Sequence, residues 1–249
     1  MSKIKLIHGD CLDRIKLIKD NSIHLFLTDL PYGKTRNDWD TPIDLSKLWP
    51  LIWKKGIDNC CVILFGQDKF TAQTMLSDKN HRYNLIWEKS TVTGHLNAKR
   101  QPLRCHEDIM IFYKKQPTYN PQKTTGHKRK VSSSHHKRNS KKTTNYNNHN
   151  LTSYDSTERY PKSVLKFPTD KQKLAIHPTQ KPVALLEYLI KSYSNENEIV
   201  CDLTSGSGST GEASLNTNRD CILIENHNTF FDDSLFRLSN LTDSISSIY

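Results

Sequence analysis

Three short stretches hold residues whose types and spacing suit chemistry. The first is Asp29-Leu30-Pro31-Tyr32, directly after the apolar run Ile23–Thr28. The Asp29 carboxylate and the Leu30 carbonyl can together accept both hydrogens of an exocyclic amine, and Tyr32 can stack on the ring that carries the amine. Pro31 restricts Leu30 to an extended backbone and aims its carbonyl outward. The same four residues also suit an ordinary turn. The second stretch runs from Cys201 through Asp202-Leu203-Thr204-Ser205-Gly206-Ser207-Gly208-Ser209-Thr210 to Gly211. Its glycines allow a tight turn and close ligand approach, and a following helix would present free N–H groups. Glu225 comes 19 residues after Gly206, where an acid can accept both hydroxyls of a ribose. This fits a dinucleotide fingerprint and fits any other adenosyl-ribose cofactor equally well. The third is His177-Pro178-Thr179-Gln180-Lys181-Pro182, before a helical pattern. A lysine at a helix entrance is electrostatically unfavourable unless an anion lies beside it, so a carboxylate ligand is expected near Lys181.

The elements that must position these stretches alternate along the chain. Short apolar runs at 4–7, 23–28, 61–65, 83–87, 109–113, 199–203 and 221–225 are separated by helical or turn-rich segments. That is the pattern of an α/β fold, a Rossmann-like seven-stranded, mostly parallel sheet flanked by helices. The clearest helix follows Pro182, with apolar residues at 182, 185, 186, 189, 190 and 193. In such sheets the carboxyl ends of the strands form the site. Trp87 and the group Trp39, Trp49 and Trp53 suit packing better than stacking on a base.

Charge divides the chain. The 249 residues contain 36 Lys/Arg against 26 Asp/Glu, a formal +10. Residues 114–173 hold fifteen of the basic residues and three acids, leaving a nearly neutral remainder. A polyanionic partner follows from that segregation. The interval 119–160 is too poor in aliphatic residues to build a core and reads as a long insertion, largely mobile without a partner. The expected organisation is therefore 1–113 as one half of a domain, 114–173 as a basic insertion and 174–249 as the second half.

Several classes are disfavoured. The longest apolar run, at residues 60–65, is too short to span a membrane. Residues 1–10 hold no signal-peptide core. The six cysteines, at 11, 60, 61, 105, 201 and 221, form no CxxC pair, which argues against a zinc module or a disulfide scaffold and for a reduced cytoplasm.

In combination and order these stretches resemble the DNA amino-methyltransferases (adenine-N6/cytosine-N4), in the class whose catalytic motif precedes the cofactor motif. Asp29–Tyr32 is similar to that family's Asp-Pro-Pro-Tyr, with Leu30 in place of the first proline but its carbonyl retained. Residues 202–211 are similar to its Asp-Pro-Phe-x-Gly-Ser-Gly-Thr-Thr loop. Leu203 and Thr204 replace the Pro-Phe, which removes an aromatic that packs on the cofactor. Residues 177–182 match its His-Pro-x-x-Lys-Pro. His8-Gly9-Asp10-Cys11, Trp87-Glu88-Lys89 and Arg104-Cys105-His106-Glu107-Asp108-Ile109 resemble further landmarks. The likeness spans the chain outside roughly 120–165.

The resemblance implies S-adenosyl-L-methionine as cofactor. Asp202, Thr204, Gly206 and Gly208 would line its methionine side, Glu225 would hold its ribose, Asp10 with the Cys11 backbone would read its adenine, and Lys181 would lie near its carboxylate. It implies that Asp29, Leu30, Pro31 and Tyr32 act on a base flipped from double-stranded DNA, with no metal. Asp at the first motif position points to adenine N6. Cytosine N4 and a catalytically degenerate nucleic-acid-binding protein remain as alternatives. The basic insertion stands where the family carries its target-recognition segment, so Lys128, Arg129, Lys130, Lys137, Arg138, Lys141 and Lys142 are expected on phosphates, and Asn145, Asn147 and Asn148 on adenine edges. A homodimer and a cognate restriction enzyme are further partners the resemblance suggests.

Overall fold

The computed structural model of the chain describes residues 2–33, 40–132, 153–169 and 180–249. Trp39, Lys137, Arg138, Lys141, Lys142, Asn145, Asn147, Asn148, His177, Pro178 and Thr179, named above, lie outside the described residues.

The first elements are β1 (Ile4–His8), α1 (Cys11–Arg14), β2 (Ile23–Thr28), α2 (Leu45–Lys55), β3 (Gly56–Gly66) and α3 (Asp68–Ser77). The long strands β4 (His81–Thr93) and β5 (Arg104–Phe112) follow. After β6 (Lys130–Ser132), β7 (Tyr154–Ser156) and β8 (Val164–Phe167) come α4 (Val183–Tyr193), β9 (Ile199–Asp202), α5 (Ser209–Asn216), β10 (Asp220–Glu225), α6 (Asn228–Ser239) and β11 (Ile245–Ile248). Nine of the strands form one sheet in the order β11-β1-β10-β9-β2-β3-β5-β4-β8. All neighbours are parallel except β5, which runs antiparallel to β3 and to β4.

The seven expected strands are the seven interior neighbours β1-β10-β9-β2-β3-β5-β4. The count of seven is corrected to nine by β8 and β11, one at each edge. Both are four residues long and half exposed, so neither carries the continuous apolar run that marks a strand buried on two faces. In the interior that run is present. In β3, Cys61, Ile63 and Phe65 enter one core while Val62 and Leu64 enter the other. This is the two-residue alternation of a strand with helices on both sides. Helix α4 places Leu185, Leu186, Leu189, Ile190 and Tyr193 in the first core, with Pro182 at its cap position. Trp49 and Trp53 stack on each other at 5.7 Å, and the Trp87 indole donates to the Phe167 carbonyl at 2.9 Å, so these three tryptophans pack the body of the protein.

The chain gathers into two compact units, Met1–Asn120 with Ser163–Tyr249, and Pro121–Lys162. β8, although inside the stretch 114–173, pairs with β4 in the large sheet of the first unit. In the second unit β6 pairs with β7, and the Arg129 guanidinium grips both oxygens of Asp155 at 2.8 and 2.6 Å. Lys123 pairs with Glu158 at 2.9 Å. Part of the basic excess is thus neutralised internally. Lys128 and Lys130 make no ion pair among the described residues.

Candidate active site

The carboxyl ends of β1, β2, β3, β9 and β10 surround a cavity of about 650 Å³. Chain order reverses at this point: β1 and β2, consecutive in sequence, are separated in the sheet by β10 and β9. A crevice opens where the connections diverge to opposite sides, the usual place for a ligand in an open α/β sheet.

Each strand end delivers specific groups. After β1, Asp10 caps α1, its carboxylate accepting the Leu12 N–H at 2.8 Å, and Cys11 is buried beneath. After β9, Asp202 Oδ2 accepts the Thr210 hydroxyl at 2.6 Å and Oδ1 accepts the Thr204 N–H at 3.1 Å. The glycine turn is fastened to β10 by the Ser205 N–H on the Ile224 carbonyl at 2.9 Å. Gly208 sits at φ +78°, where a Cβ would come within 3.1 Å of Ser234 Oγ, so only glycine allows α5 to start this close to α6. At the end of β10 the Glu225 carboxylate accepts the Gly206 N–H at 2.7 Å and the His227 N–H at 2.8 Å.

The Asp29–Tyr32 segment meets the glycine turn directly. Thr204 Oγ1 donates to the Asp29 carbonyl at 3.0 Å and lies 3.0 Å from Thr28 Oγ1, which in turn accepts the Leu203 N–H at 3.2 Å. Thr204, one of the two departures from the family loop, is the residue that makes this junction. The other departures are core residues: Leu30 and Leu203 are both buried with Phe26, Leu64 and Cys201. Asp10, Cys11, Asp29, Leu30, Pro31, Tyr32, Lys181, Asp202, Thr204, Gly206 and Glu225 therefore border one cavity. Gly208 does not border it and shapes the turn from behind.

Charge is concentrated at the β2 end. The Tyr32 hydroxyl donates to Asp29 Oδ1 at 2.6 Å, and the Lys181 ammonium donates to Asp29 Oδ2. The anion expected beside Lys181 is thus supplied by the protein itself. Lys181 also lies 3.3 Å from Glu107 Oε2, and Glu107 Oε1 accepts from Lys89. Burial pushes the Asp29 carboxyl up, against the pull of Lys181. Burial also opposes charge on Glu107, but the Lys181 and Lys89 ammonium groups outweigh it and hold that carboxyl below its usual range. Burial and the neighbouring Asp29 and Glu107 drive the Tyr32 phenol far up, so it stays protonated and donates. Its ring packs on Phe70 at 4.5 Å between centroids. In the sequence Glu107 is visible only as part of the 104–109 landmark, and Gln67 carries no signal of a role. Nothing in a single acid within β5 signals a partner 74 positions away.

Burial raises Asp202 to about 6, against the hydrogen bonds from Thr210 and Thr28. In the unfolded chain an aspartate titrates near 3.9. The folded state therefore holds a proton that the unfolded state releases. This contribution to stability is fully present below about pH 4 and is lost as pH rises through 6, a difference of roughly 3 kcal/mol. An Asp202→Asn variant does not titrate. Its unfolding midpoint in urea should match the parent's near pH 4 and exceed it increasingly up to pH 7. A gap that does not change with pH would show that Asp202 is ionised at no cost.

The profile of a family described as "DNA methylase", N6_N4_Mtase, matches residues 23–236. The chain belongs to the N6/N4 DNA methylase family. The Type II methyltransferase M1.MboII of Moraxella bovis is 26% identical over 263 residues, covering 97% of this chain and 99% of its own. The DNA adenine methyltransferase YhdJ of Escherichia coli K12 is 26% identical over 262 residues, covering 94% of this chain and 82% of its own. Among solved structures, the M1.HpyAVI–SAM complex superposes with a TM-score of 0.60 at 24% identity, over 94% of this chain and 99% of that one. The cytosine-N4-specific PvuII DNA methyltransferase gives 0.68 at 14% identity, over 99% and 89%. These two show that the fold is shared.

Members of the family are S-adenosylmethionine-dependent DNA methyltransferases. The cavity suits such a group. Among the described residues, the Gln180 side-chain amide nitrogen and the Ser205 hydroxyl are buried with no hydrogen-bond partner, and both residues border the cavity. Orphaned buried polar atoms are costly and mark a place where a polar ligand completes the structure. No group of three or more potential metal ligands occurs among the described residues, and no described helix is long and apolar enough to cross a membrane.

Proposed function

We propose that this methyltransferase acts on the N6 amine of an adenine flipped out of double-stranded DNA. The observation that carries the proposal is the Thr204 bridge, which holds the Asp29 backbone against the glycine turn. An amine gripped at Asp29 and a cofactor held on that turn would then share one cavity. Asp29 supplies a carboxylate acceptor and Leu30 a carbonyl acceptor for the two amine hydrogens, which favours a pyramidal nitrogen with a free lone pair. Tyr32 stacks on the flipped base, offsetting part of the few kcal/mol lost on unstacking. Asp202, Thr204 and the turn around Gly206 would hold the methionine portion of the cofactor, Glu225 its ribose, Asp10 and the Cys11 backbone its adenine. Lys181 borders the same cavity and would lie near the cofactor carboxylate. S-adenosylmethionine bound there supplies an electrophilic methyl group whose C–S bonding pair departs with the sulfur. Asp29 takes the proton that the newly methylated nitrogen sheds and passes it to water. Positioning and electrostatics provide most of the rate, without a covalent enzyme intermediate.

Asp at position 29 and the adenine-specific name of YhdJ support adenine over cytosine. Incubating unmodified DNA with labelled cofactor, digesting it to nucleosides and separating them by mass spectrometry should place the label in N6-methyladenine. Label confined to N4-methylcytosine would reverse the assignment.

Phosphate contacts would come from Lys128 and Lys130 in the second unit, and from Lys137, Arg138, Lys141 and Lys142. Arg129, committed to Asp155, would reach phosphate only by leaving that pair. The reaction would take place in the cytoplasm. A second copy of the chain and a cognate restriction enzyme are the protein partners to look for, the latter suggested by relatives named Type II methyltransferases.

A further inference from the structure

Four charges of alternating sign, Lys89, Glu107, Lys181 and Asp29, form a chain whose last three members border the cavity. Lys89 donates to Glu107 Oε1, which also accepts the Gln67 amide at 2.9 Å. Glu107 Oε2 has no hydrogen bond among the described residues, and its nearest cation is the Lys181 ammonium at 3.3 Å. Lys181 is hydrogen-bonded instead to Asp29 Oδ2, while Tyr32 occupies Oδ1. Glu107 and Lys181 are both buried. Each oxygen of the proposed amine acceptor is thus already engaged, and Glu107 Oε2, which among the described residues has only the longer ion pair to Lys181, lies within reach of the same ammonium.

We propose that Glu107 is a positioning residue that receives Lys181 when the target amine engages Asp29. A shift of about half an ångström shortens the 3.3 Å ion pair to an ordinary charge-assisted hydrogen bond and exchanges one carboxylate for another. The ammonium is never left unpaired in a buried site, where a bare charge is strongly disfavoured. Lys89 and Gln67 hold Oε1, so Oε2 stays turned toward Lys181. The transfer has two effects on Asp29: one oxygen becomes available to the amine, and the carboxylate becomes a better proton acceptor once the cation has withdrawn. The charged and titratable groups around Asp29 are Lys181, Glu107 and Tyr32, with Asp202 beyond the Thr204 bridge and Asp108 behind Tyr32.

The proposal rests on Asp29 as amine acceptor but not on which base is methylated. The test is therefore total label incorporated into unmodified plasmid DNA in a single turnover, with cofactor and DNA saturating, across pH 5–9. Glu107→Gln removes the receiving charge and leaves Lys181 on Asp29. The transfer rate should fall about tenfold or more, with S-adenosylmethionine affinity by calorimetry within about twofold of the parent, a margin far below that cost. Loss of the neighbouring negative charge favours ionised Asp29, so the acid limb of the profile should move to lower pH. Lys181→Met should move the same limb to higher pH. Opposite displacements show that both charges act on Asp29, and a rate deficit in Glu107→Gln that persists on the plateau above the limb, where Asp29 is ionised in parent and variant alike, supports the exchange. An unmoved limb, or a parental rate in Glu107→Gln, overturns it. Should Glu107→Gln not fold, Glu107→Asp keeps the charge one methylene further away. A slowed transfer with unaltered cofactor affinity then supports the proposal and a parental rate overturns it. Asp29→Asn, measured alongside, separates the two levels: if it remains active, the role of Asp29 fails first.

Discussion

An Asp29→Ala protein should bind S-adenosylmethionine as the parent does and transfer its methyl group between about a hundredfold and ten-thousandfold more slowly. The division follows from how Asp29 is attached. Its backbone carbonyl joins the glycine turn through Thr204, whereas among the described residues its side chain is hydrogen-bonded to Tyr32 and Lys181. Removing the carboxylate therefore leaves the cofactor side intact. Lys181 keeps Glu107 at 3.3 Å and is not stranded. What disappears is an acceptor for the amine and for the proton it must lose. Calorimetry with the cofactor and single-turnover label transfer measure the two halves. A variant that retained a tenth of the parent's rate would remove Asp29 from the chemistry.

The opposite division is expected at Glu225. Its two oxygens accept the Gly206 and His227 N–H groups, and each oxygen has a second lone pair for a ribose hydroxyl. Burial pushes the Glu225 carboxyl up, although the His227 and Gly206 N–H groups oppose the shift. In a Glu225→Gln protein the amide NH₂ must face one of the backbone donors, and one ribose acceptor is lost. Two charge-assisted hydrogen bonds at about 1.5–3 kcal/mol each set the scale, so the cofactor dissociation constant should rise about a hundredfold or more. Transfer at saturating cofactor should change much less than affinity. Unaltered affinity would mean that the cofactor lies elsewhere in the cavity.

The interior of the fold was legible because its physical signals are local. Residues 61–65 are apolar without interruption because both faces of β3 are covered, and the helix after Pro182 repeats its apolar positions every three or four residues because one side packs on the sheet. Asp29, Tyr32, Asp202, Gly206 and Glu225 were legible as a set because a site at strand ends collects the residues that immediately follow strands. The edge strands were not, since β8 and β11 each bury little and read as loop. The Lys181–Asp29 pair was half legible. Helix electrostatics asked for an anion, but a contact across 152 positions depends on how the sheet is threaded. Glu107 was the least legible of all. It sits on a strand antiparallel to both neighbours, and its importance comes from two lysines that reach it from β4 and from the start of α4. Thr204 looked like a loss, an aromatic exchanged for a small polar side chain, until its hydroxyl was found joining the two loops.

The threading of the sheet has a consequence for how the molecule comes into being. β1 lies between β10 and β11, with Ile4 opposite both Cys221 and Ile245. β1, first of these strands in chain order, thus has both of its neighbours among the last ones. β2, β3, β5 and β4 can assemble from adjacent stretches of chain, but β2 keeps an open edge until β9 arrives. Such non-local pairing must overcome loop-closure entropy before any contact rewards it, which slows acquisition of the native state. Until then the nascent chain presents unpaired, apolar strand edges of the kind that invite aggregation. The cavity, bordered by the ends of β9 and β10 as well as β1 and β2, takes shape only once those distant strands have docked.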